Sequence, residues 1–508
     1  MTHYPVVIIG AGPAGLTAAY ELVKQGIQPL VIEASDKVGG IARTEIYKGY
    51  RFDIGGHRFF TKVGEVEQLW KEILGDNFIK VPRLSRIYYR GKFFDYPLSF
   101  FNTLSNLGAL DSAMILWSYC KEKIKASLDR PEPETFEEWV THCFGERLYQ
   151  TFFKTYTEKV WGISCDKIQA EWAKQRIKGM SLKAAVINLL FGKTNAKSLI
   201  KEFDYPILGP GMMWERSQEI VESKGGEVWL KAKVIRIERE GSRITKVIVQ
   251  HGGEIQEITG DRFISSMPVT KLVQSLEPAL PDEVIQAARS LSYRDFIIVS
   301  LIVNVEHLFP DNWIYIHSPN VKVGRIQNFK NWSPAMVPDP SKTCLGMEYF
   351  CSEGDKIWEL SDTELLDLAT QELATLGLVD ASAVEDGTVL RQRKAYPVYD
   401  RDYYQHLQVI RNYIEMFDNL QTVGRNGMHR YNNQDHSMLT AILAVQNILG
   451  KQQQDLWEVN AERSYHEEFT QEEWKQKQSI AAKSLQNQLY KDDLANHYYG
   501  ESTTASSL

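Results

Sequence analysis

Near the start of the chain Gly10, Gly12 and Gly15 have the spacing with which a main chain approaches a diphosphate. The first permits a tight turn, the second leaves room for phosphates, and the third lets a helix lie close on a strand. They follow an apolar β-branched run, residues 4–9, and open an amphipathic stretch to about Gln25 whose N-terminal N–H groups suit an anion. A second short strand at 28–33 ends in Glu33, a carboxylate placed to accept hydrogen bonds from an adenosine ribose. These pieces predict a βαβ unit that binds a dinucleotide. NAD and FAD both use such a unit.

A second constellation mixes aromatics with cations. Phe152, Tyr156 and Trp161 fall within one helical stretch with Lys154 and Lys159, and Asp166 to Arg176 follow. Composition alone reads this as core packing in a helical region. Elsewhere stand Gly39-Gly40-Ile41-Ala42-Arg43, Asp53-Ile54-Gly55-Gly56-His57, Gly324-Arg325, Ala395-Tyr396-Pro397, and a long polar run from Gly424-Arg425 through Tyr431 to Asn433-Gln434-Asp435-His436-Ser437.

The stretches 38–44 and 53–57 resemble the extended fingerprint of flavoproteins of the amine oxidase and protoporphyrinogen oxidase superfamily, which implies FAD as the cofactor. The resemblance implies FAD contacts from Gly10, Gly12, Ala14, Gly15, Glu33 and Ala34 in the βαβ unit, and from Gly40, Ala42 and Arg43 after it. It implies others from Gly55, Gly56 and His57 beside the flavin and from Val234. At the far end Gly424, Arg425, Asn433, Gln434, Asp435 and Ser437 would bring a helix N-terminus to the isoalloxazine.

Within that superfamily the segments 152–176, 324–334 and 424–437 resemble those of UDP-galactopyranose mutases, over residues 8 to about 450. This implies that Phe152, Tyr156 and Trp161 border a uridine, and that Arg176 and Arg325 grip a diphosphate with planar guanidinium forks. Tyr396 and Tyr431 would add phosphate or sugar contacts. The implied activity interconverts pyranose and furanose forms of a UDP-sugar, UDP-galactose or a relative, through an adduct between the sugar and N5 of the reduced flavin. His57, Arg176 and Arg325 would be its catalytic residues, and a reductant such as NAD(P)H would prime the flavin. One departure stands out: Arg58-Phe59-Phe60-Thr61 follows His57, and Arg58 could stabilise an anionic reduced flavin or bind a carboxylate or phosphate of another substrate. The alternative is a net oxidoreductase of the same superfamily acting on a larger apolar or amine substrate.

These residues need a scaffold of more than one core. The chain has 508 residues, 43% of them hydrophobic, which excludes a small binding module and a disordered protein. The expected architecture is α/β: a doubly wound, Rossmann-like FAD-binding sheet of the glutathione reductase type, an antiparallel substrate sheet and an inserted helical domain. The FAD-binding part is placed at 1–97, 206–290 and 415–450, the helical insertion at 98–205, the substrate sheet at 291–414 and a polar tail at 451–508. A net charge of −7 offers no overall basic field for nucleic acid or an anionic membrane. An anionic ligand must therefore meet a local cationic pocket. Five scattered cysteines without a CxxC pair argue against a disulfide framework and a zinc site. With no signal-like leader and no apolar run near 18 residues, the expectation is a cytoplasmic protein without a membrane span, its oligomeric state open.

Overall fold

The computed structural model describes residues 2–96, 98, 100–126, 132–170, 198–199, 201–450, 453–460 and 468–469. Arg176, and most of the 451–508 tail, lie outside the described residues.

Val6 to Ile9 form a buried apolar run in the strand Thr2–Ile9, as a central parallel strand requires. It pairs in parallel with Leu30–Ile32 on one side and Glu254–Ser265 on the other. Glu227–Trp229 extends the first edge and Leu420–Thr422 pairs with the end of Glu254–Ser265, both in parallel. Beyond them Arg243–His251 and Ala232–Glu240 continue the sheet antiparallel. The helices Pro13–Lys24 and Gln434–Ile448 share one face through Ala14, Ala18, Met438 and Ala441. Leu272, Val284, Leu407 and Ile410 cover the other.

The second sheet runs in the order Val384–Pro397, Tyr293–Val303, Thr343–Cys351, Arg325–Asn328, Trp313–Ile316, Ser85–Tyr89, Lys92–Asp95. Every neighbouring pair is antiparallel except Trp313–Ile316 with Ser85–Tyr89. Ser85–Tyr89 and Lys92–Asp95 fall inside the stretch 1–97 expected to belong to the FAD-binding part, yet they complete this sheet. The strand Glu202–Pro206 pairs with Phe78–Pro82 although 98–205 was expected to be helical. The helix Tyr403–Ile414, expected with the substrate sheet, buries Leu407, Ile410 and Ile414 against the first sheet. In each case the partner of the element is a long-range choice that local sequence does not encode.

A helical unit packs beside the second sheet: Phe100–Leu107, Ala109–Ala126, Phe136–Phe144, and a longer run from Glu146 to Trp161. Thr135 starts the third with a capping box, its hydroxyl accepting from the Glu138 N–H at 3.2 Å while the Glu138 carboxylate accepts from the Thr135 N–H at 3.2 Å. Phe136, Val140, Tyr149 and Phe152 close its core on Ile87, Tyr89 and Phe94. Among the described residues no helix is long and apolar enough to cross a membrane.

Candidate active site

One cavity of about 1630 Å³ runs between the two sheets and the helical unit. Of the residues singled out in the sequence, Gly15 lies beneath it and Arg176 is outside the described residues. All the others given a cofactor, substrate or catalytic role line it.

At its dinucleotide end the three glycines differ in what they do. Gly10 adopts φ +101°, and a Cβ there would stand 2.3 Å from Ser266 Oγ. A Cβ on Gly15 would meet the Gly10 carbonyl oxygen at 1.8 Å, so this glycine is what lets the helix sit on the turn. Gly12 is crowded by nothing: the nearest atom to a Cβ is Gly40 Cα at 3.9 Å, and the space belongs to the cavity. Glu33 is held in place by the Ala11 N–H at 2.8 Å and by the Ser35 N–H and hydroxyl at 2.9 and 2.8 Å. Arg43 donates to the Gly40 carbonyl at 2.7 Å and pairs with Glu45 at 2.6 Å.

At the far end the helix Gln434–Ile448 has its N-terminal residues Gln434 to Ser437 in the cavity wall. Both amide atoms of the Gln434 side chain are buried and have no partner. Leaving such a group unsatisfied costs about 1–3 kcal/mol, so it belongs to a site completed by a polar ligand. An open glycine at the phosphate turn, an anchored acid and an orphaned amide at a helix N-terminus fit FAD.

Beside the Gly55-Gly56 turn, burial and then the nearby Arg425 and Arg325 push the His57 pKa down to about 3, so the ring is neutral. Its Nδ1 lies 3.2 Å from the Gly55 carbonyl, which can only accept, so Nδ1 carries the proton and Nε2 is an acceptor.

Arg325 differs from the sequence expectation of a cation available to a diphosphate. Its Nε lies 2.5 Å from Oε2 of Glu348, which is wholly buried in the strand Thr343–Cys351. The other oxygen of Glu348 accepts from Gln327 at 2.7 Å, and Gln327 in turn accepts from the Trp332 indole at 3.0 Å. Burial opposes the charge on Arg325, and Glu348 more than offsets it. The cavity therefore meets a compensated guanidinium.

The aromatic end is built on a feature with no sequence signal. The helix from Glu146 to Trp161 contains a π-helical segment, Tyr149–Lys154, which rotates the residues beyond it relative to an unbroken helix. Tyr149, Phe152 and Trp161 are buried in the core of the helical unit, Phe152 packing on Phe94 at 5.1 Å, and Phe152 and Trp161 also border the cavity, as the half-buried Tyr156 does. Tyr156 stacks flat on His317, centroids 4.6 Å apart at 6°, and meets Tyr315 edge-on at 5.6 Å. Tyr396 and Tyr431 stack at 5.7 Å, and the Arg425 guanidinium lies 5.5 and 4.8 Å from their rings. Burial, then Tyr431, pushes Tyr396 up to about 12, and burial also raises Tyr156, so both phenols remain O–H donors. Tyr315, His317 and Glu348 were missed in the sequence. The alternation Trp313-Ile314-Tyr315-Ile316-His317 was a legible strand signal for the first two; nothing local marks Glu348. Arg58 also lines the cavity, its guanidinium 5.4 Å from the Trp313 ring.

Ten arginines and lysines line the cavity against three carboxylates, inside a chain of net charge −7, and four of these cations, Arg43, Arg325, Arg393 and Arg411, are themselves paired with carboxylates. The local cationic pocket required of an anionic ligand is present.

This architecture is the FAD-binding two-sheet fold of flavoprotein oxidases. The profile of the flavin-containing amine oxidoreductase family matches residues 13–429. The chain belongs to that family, and its cofactor is FAD. A crystal structure of reduced UDP-galactopyranose mutase superposes with a TM-score of 0.78 at 21% identity, covering 91% of this chain and 99% of that one. A structure assigned as protoporphyrinogen oxidase from Exiguobacterium gives 0.65 at 17% identity, covering 89% and 99%. In sequence, the protein assigned as flavin-containing monoamine oxidase AofH in Mycobacterium tuberculosis is 26% identical over 56% of this chain and 61% of its own length. The 15-cis-phytoene desaturase of an Oncidium hybrid is 24% identical over 73% and 64%. The protein assigned as UDP-galactopyranose mutase in Klebsiella pneumoniae is 29% identical over 34% and 45%. The matches thus span less than two thirds of these relatives' lengths. The structural likenesses establish the fold, and the chain is a flavin-dependent enzyme of this superfamily.

Proposed function

We propose that the chain is a sugar-nucleotide mutase, interconverting ring forms of a UDP-sugar such as UDP-galactose, primed by a reductant of the NAD(P)H type. The observation that carries this reading is the excess of cations over carboxylates around a wall of stacked tyrosines. An amine substrate is itself a cation and would be repelled, whereas the diphosphate of a UDP-sugar would be drawn in.

When bound and reduced, FAD supplies a nucleophilic ring nitrogen and recovers its electrons within the cycle, so the reaction has no net redox change. The chain's residues do the rest. Tyr156 and Trp161 present flat faces to the base, supported by His317. Tyr396 and Tyr431 donate phenolic hydrogen bonds, and Arg425 between them lends positive charge to the diphosphate. Holding UDP in place while it is detached keeps it available for recapture. Neutral His57 accepts a proton or hydrogen bond at Nε2. Arg325, with Glu348 behind it, orients a neutral hydroxyl-rich group more than it binds a phosphate, and Arg176 remains the proposed second grip.

The second reading, a net oxidoreductase, is favoured by the monoamine oxidase and desaturase relatives. Anaerobic incubation of the dithionite-reduced protein with UDP-galactose or UDP-galactofuranose, resolved by chromatography, separates the two. Interconversion only with reduced flavin is expected; no conversion and no effect of UDP on the flavin spectrum would overturn the mutase.

A further inference from the structure

Arg58 follows the Gly55-Gly56-His57 turn, and the pairing of this segment decides where its side chain goes. Phe59 forms an isolated bridge with Asp204, donating to its carbonyl at 2.9 Å and accepting from its N–H at 3.1 Å. The Phe59 ring is buried against Trp70 and Phe78, centroids 4.9 and 5.3 Å away. Adjacent side chains on a paired segment point to opposite sides, so Arg58 and Phe60 turn away from that core, and both line the cavity. Besides burial, the cations that act on His57 are Arg425 and Arg325, whereas the Arg58 guanidinium is turned toward Trp313, 5.4 Å from its ring.

The aromatic wall leads to the same place. Tyr315 is the register partner of Arg325, and Tyr96, also in the cavity wall, lies 4.7 Å from Tyr315. Arg83 sets its guanidinium 5.7 Å from Tyr96 and 5.6 Å from Trp313, the ring that Arg58 meets. Trp313 and Ser85 are opposite each other in neighbouring strands, and both are buried. Neither the Trp313 indole N–H nor the Ser85 hydroxyl has a hydrogen-bond partner. Two guanidiniums on one ring, beside two unanswered polar groups, make the wall at Arg58 cationic and rich in donors. Among the described residues the three carboxylates lining the cavity serve other parts of it: Glu33 at the dinucleotide end, Asp435 in the helix Gln434–Ile448, and Glu353 beside Arg393.

We propose that Arg58, with Arg83 behind it, binds a carboxylate on the sugar, so that the substrate is a UDP-linked uronic acid and not a neutral hexose. This rests on the UDP-sugar reading above and narrows it. The diphosphate is met by Arg425, Tyr396 and Tyr431, and Arg325 is neutralised by Glu348, so the cation beyond them serves a further anionic group. A guanidinium laid against an indole presents its N–H edge, whose fork matches the two oxygens of a carboxylate. The C6 carboxylate lies outside the ring in both the pyranose and the furanose form. Holding it leaves ring closure through the 4-hydroxyl unhindered and keeps the opened sugar in register for that closure.

The FAD-loaded full chain is titrated, with flavin fluorescence as the readout, against UDP, UDP-galactose and UDP-galacturonate, the two sugars differing only at C6. The expected result is that UDP-galacturonate binds about tenfold or more tightly than UDP-galactose. Arg58→Met erases that preference while FAD content holds and the affinities for UDP and UDP-galactose stay within about twofold. Arg58→Lys, which keeps the charge and loses the fork, retains part of it. Equal affinity of the native chain for the acidic and the neutral sugar overturns the proposal and leaves the UDP-sugar reading standing. No effect of UDP on the flavin removes that reading, and this proposal with it. A preference that survives Arg58→Met also overturns it, as does a variant whose only change is a lower midpoint potential of the bound flavin, which would assign Arg58 to the cofactor.

Discussion

Arg325 shows how one partner changes what a residue does. Because Glu348 is wholly buried and holds the guanidinium at 2.5 Å, each member of the pair depends on the other. Arg325→Ala is expected to cost stability by about 3–5 kcal/mol, since it strands a buried carboxylate. UDP affinity in any surviving fold should change less than for an unpaired phosphate grip. Glu348→Gln should do the reverse, lowering the melting temperature while tightening UDP binding up to about tenfold, as the charge facing the cavity is no longer compensated. Titrating UDP against flavin fluorescence in both variants checks this, and equal weakening in both would contradict the pairing argument. The glycines make a second contrast. Gly15→Ala drives a Cβ into a carbonyl 1.8 Å away and should abolish FAD incorporation along with folding. Gly12→Ala has room and an ordinary φ of −78°, so the apoprotein should melt normally and bind FAD at least about tenfold more weakly. The absorbance ratio of flavin to protein, with apoprotein melting curves, distinguishes them.

Beside its aromatic contacts, the helical run ending at Trp161 is tied to the second sheet by Lys159. Lys159 Nζ donates to the carbonyl oxygens of Ile316, Ser318 and Val323 at 3.4, 2.7 and 3.3 Å. Those carbonyls flank His317, on which Tyr156 stacks, so this clamp sets the spacing of the aromatic wall. Lys159→Ala should leave FAD content unchanged, because no FAD-facing residue depends on it, and weaken UDP binding by about tenfold through loss of the stack. A variant that binds UDP normally would remove the clamp from the account. The heptapeptide Thr155–Trp161 was readable as helix from its spacing, but the π-helical segment before it was not. That segment sets how Phe152, Tyr156 and Trp161, which all line the cavity, are turned relative to one another.

Among the described residues, three histidines and two buried acids, Asp53 and Glu348, oppose each other in pH dependence. Burial holds His57 and His317 at about 3 and His429 at about 4, below the ordinary 6.5, so unfolding takes up protons as pH falls and the stability present above about pH 6.5 is lost toward acid. Asp53, buried between Thr44 and Tyr205, is pushed up to about 7. Its contribution is full at low pH and is lost as pH rises toward that value. Each histidine raises stability with pH by about 1.4 kcal/mol per unit below about 6.5 and the two raised acids oppose it, so the three histidines keep the net slope positive between about 4 and 6.5. Asp53→Asn should steepen the acid-side rise and remove the share of the loss near neutrality that Asp53 causes. Melting temperatures across that range, in the native chain and the variant, test it; an unchanged slope would mean Asp53 does not titrate there.

What the sequence determined by itself is what local chemistry can encode. The glycine spacing, the β-branched run and Glu33 specified the dinucleotide unit, and the helix at Gln434 announced itself through its polar start and apolar periodicity. Such features need only neighbours a few residues away. The tertiary structure alone decided that Ser85–Tyr89 extends the second sheet, that Glu348 neutralises Arg325 and that His317 supports Tyr156. Strand partners, buried ion pairs and exposure arise between segments tens to hundreds of residues apart, where the geometry of closure, and no local pattern, chooses which side chains meet.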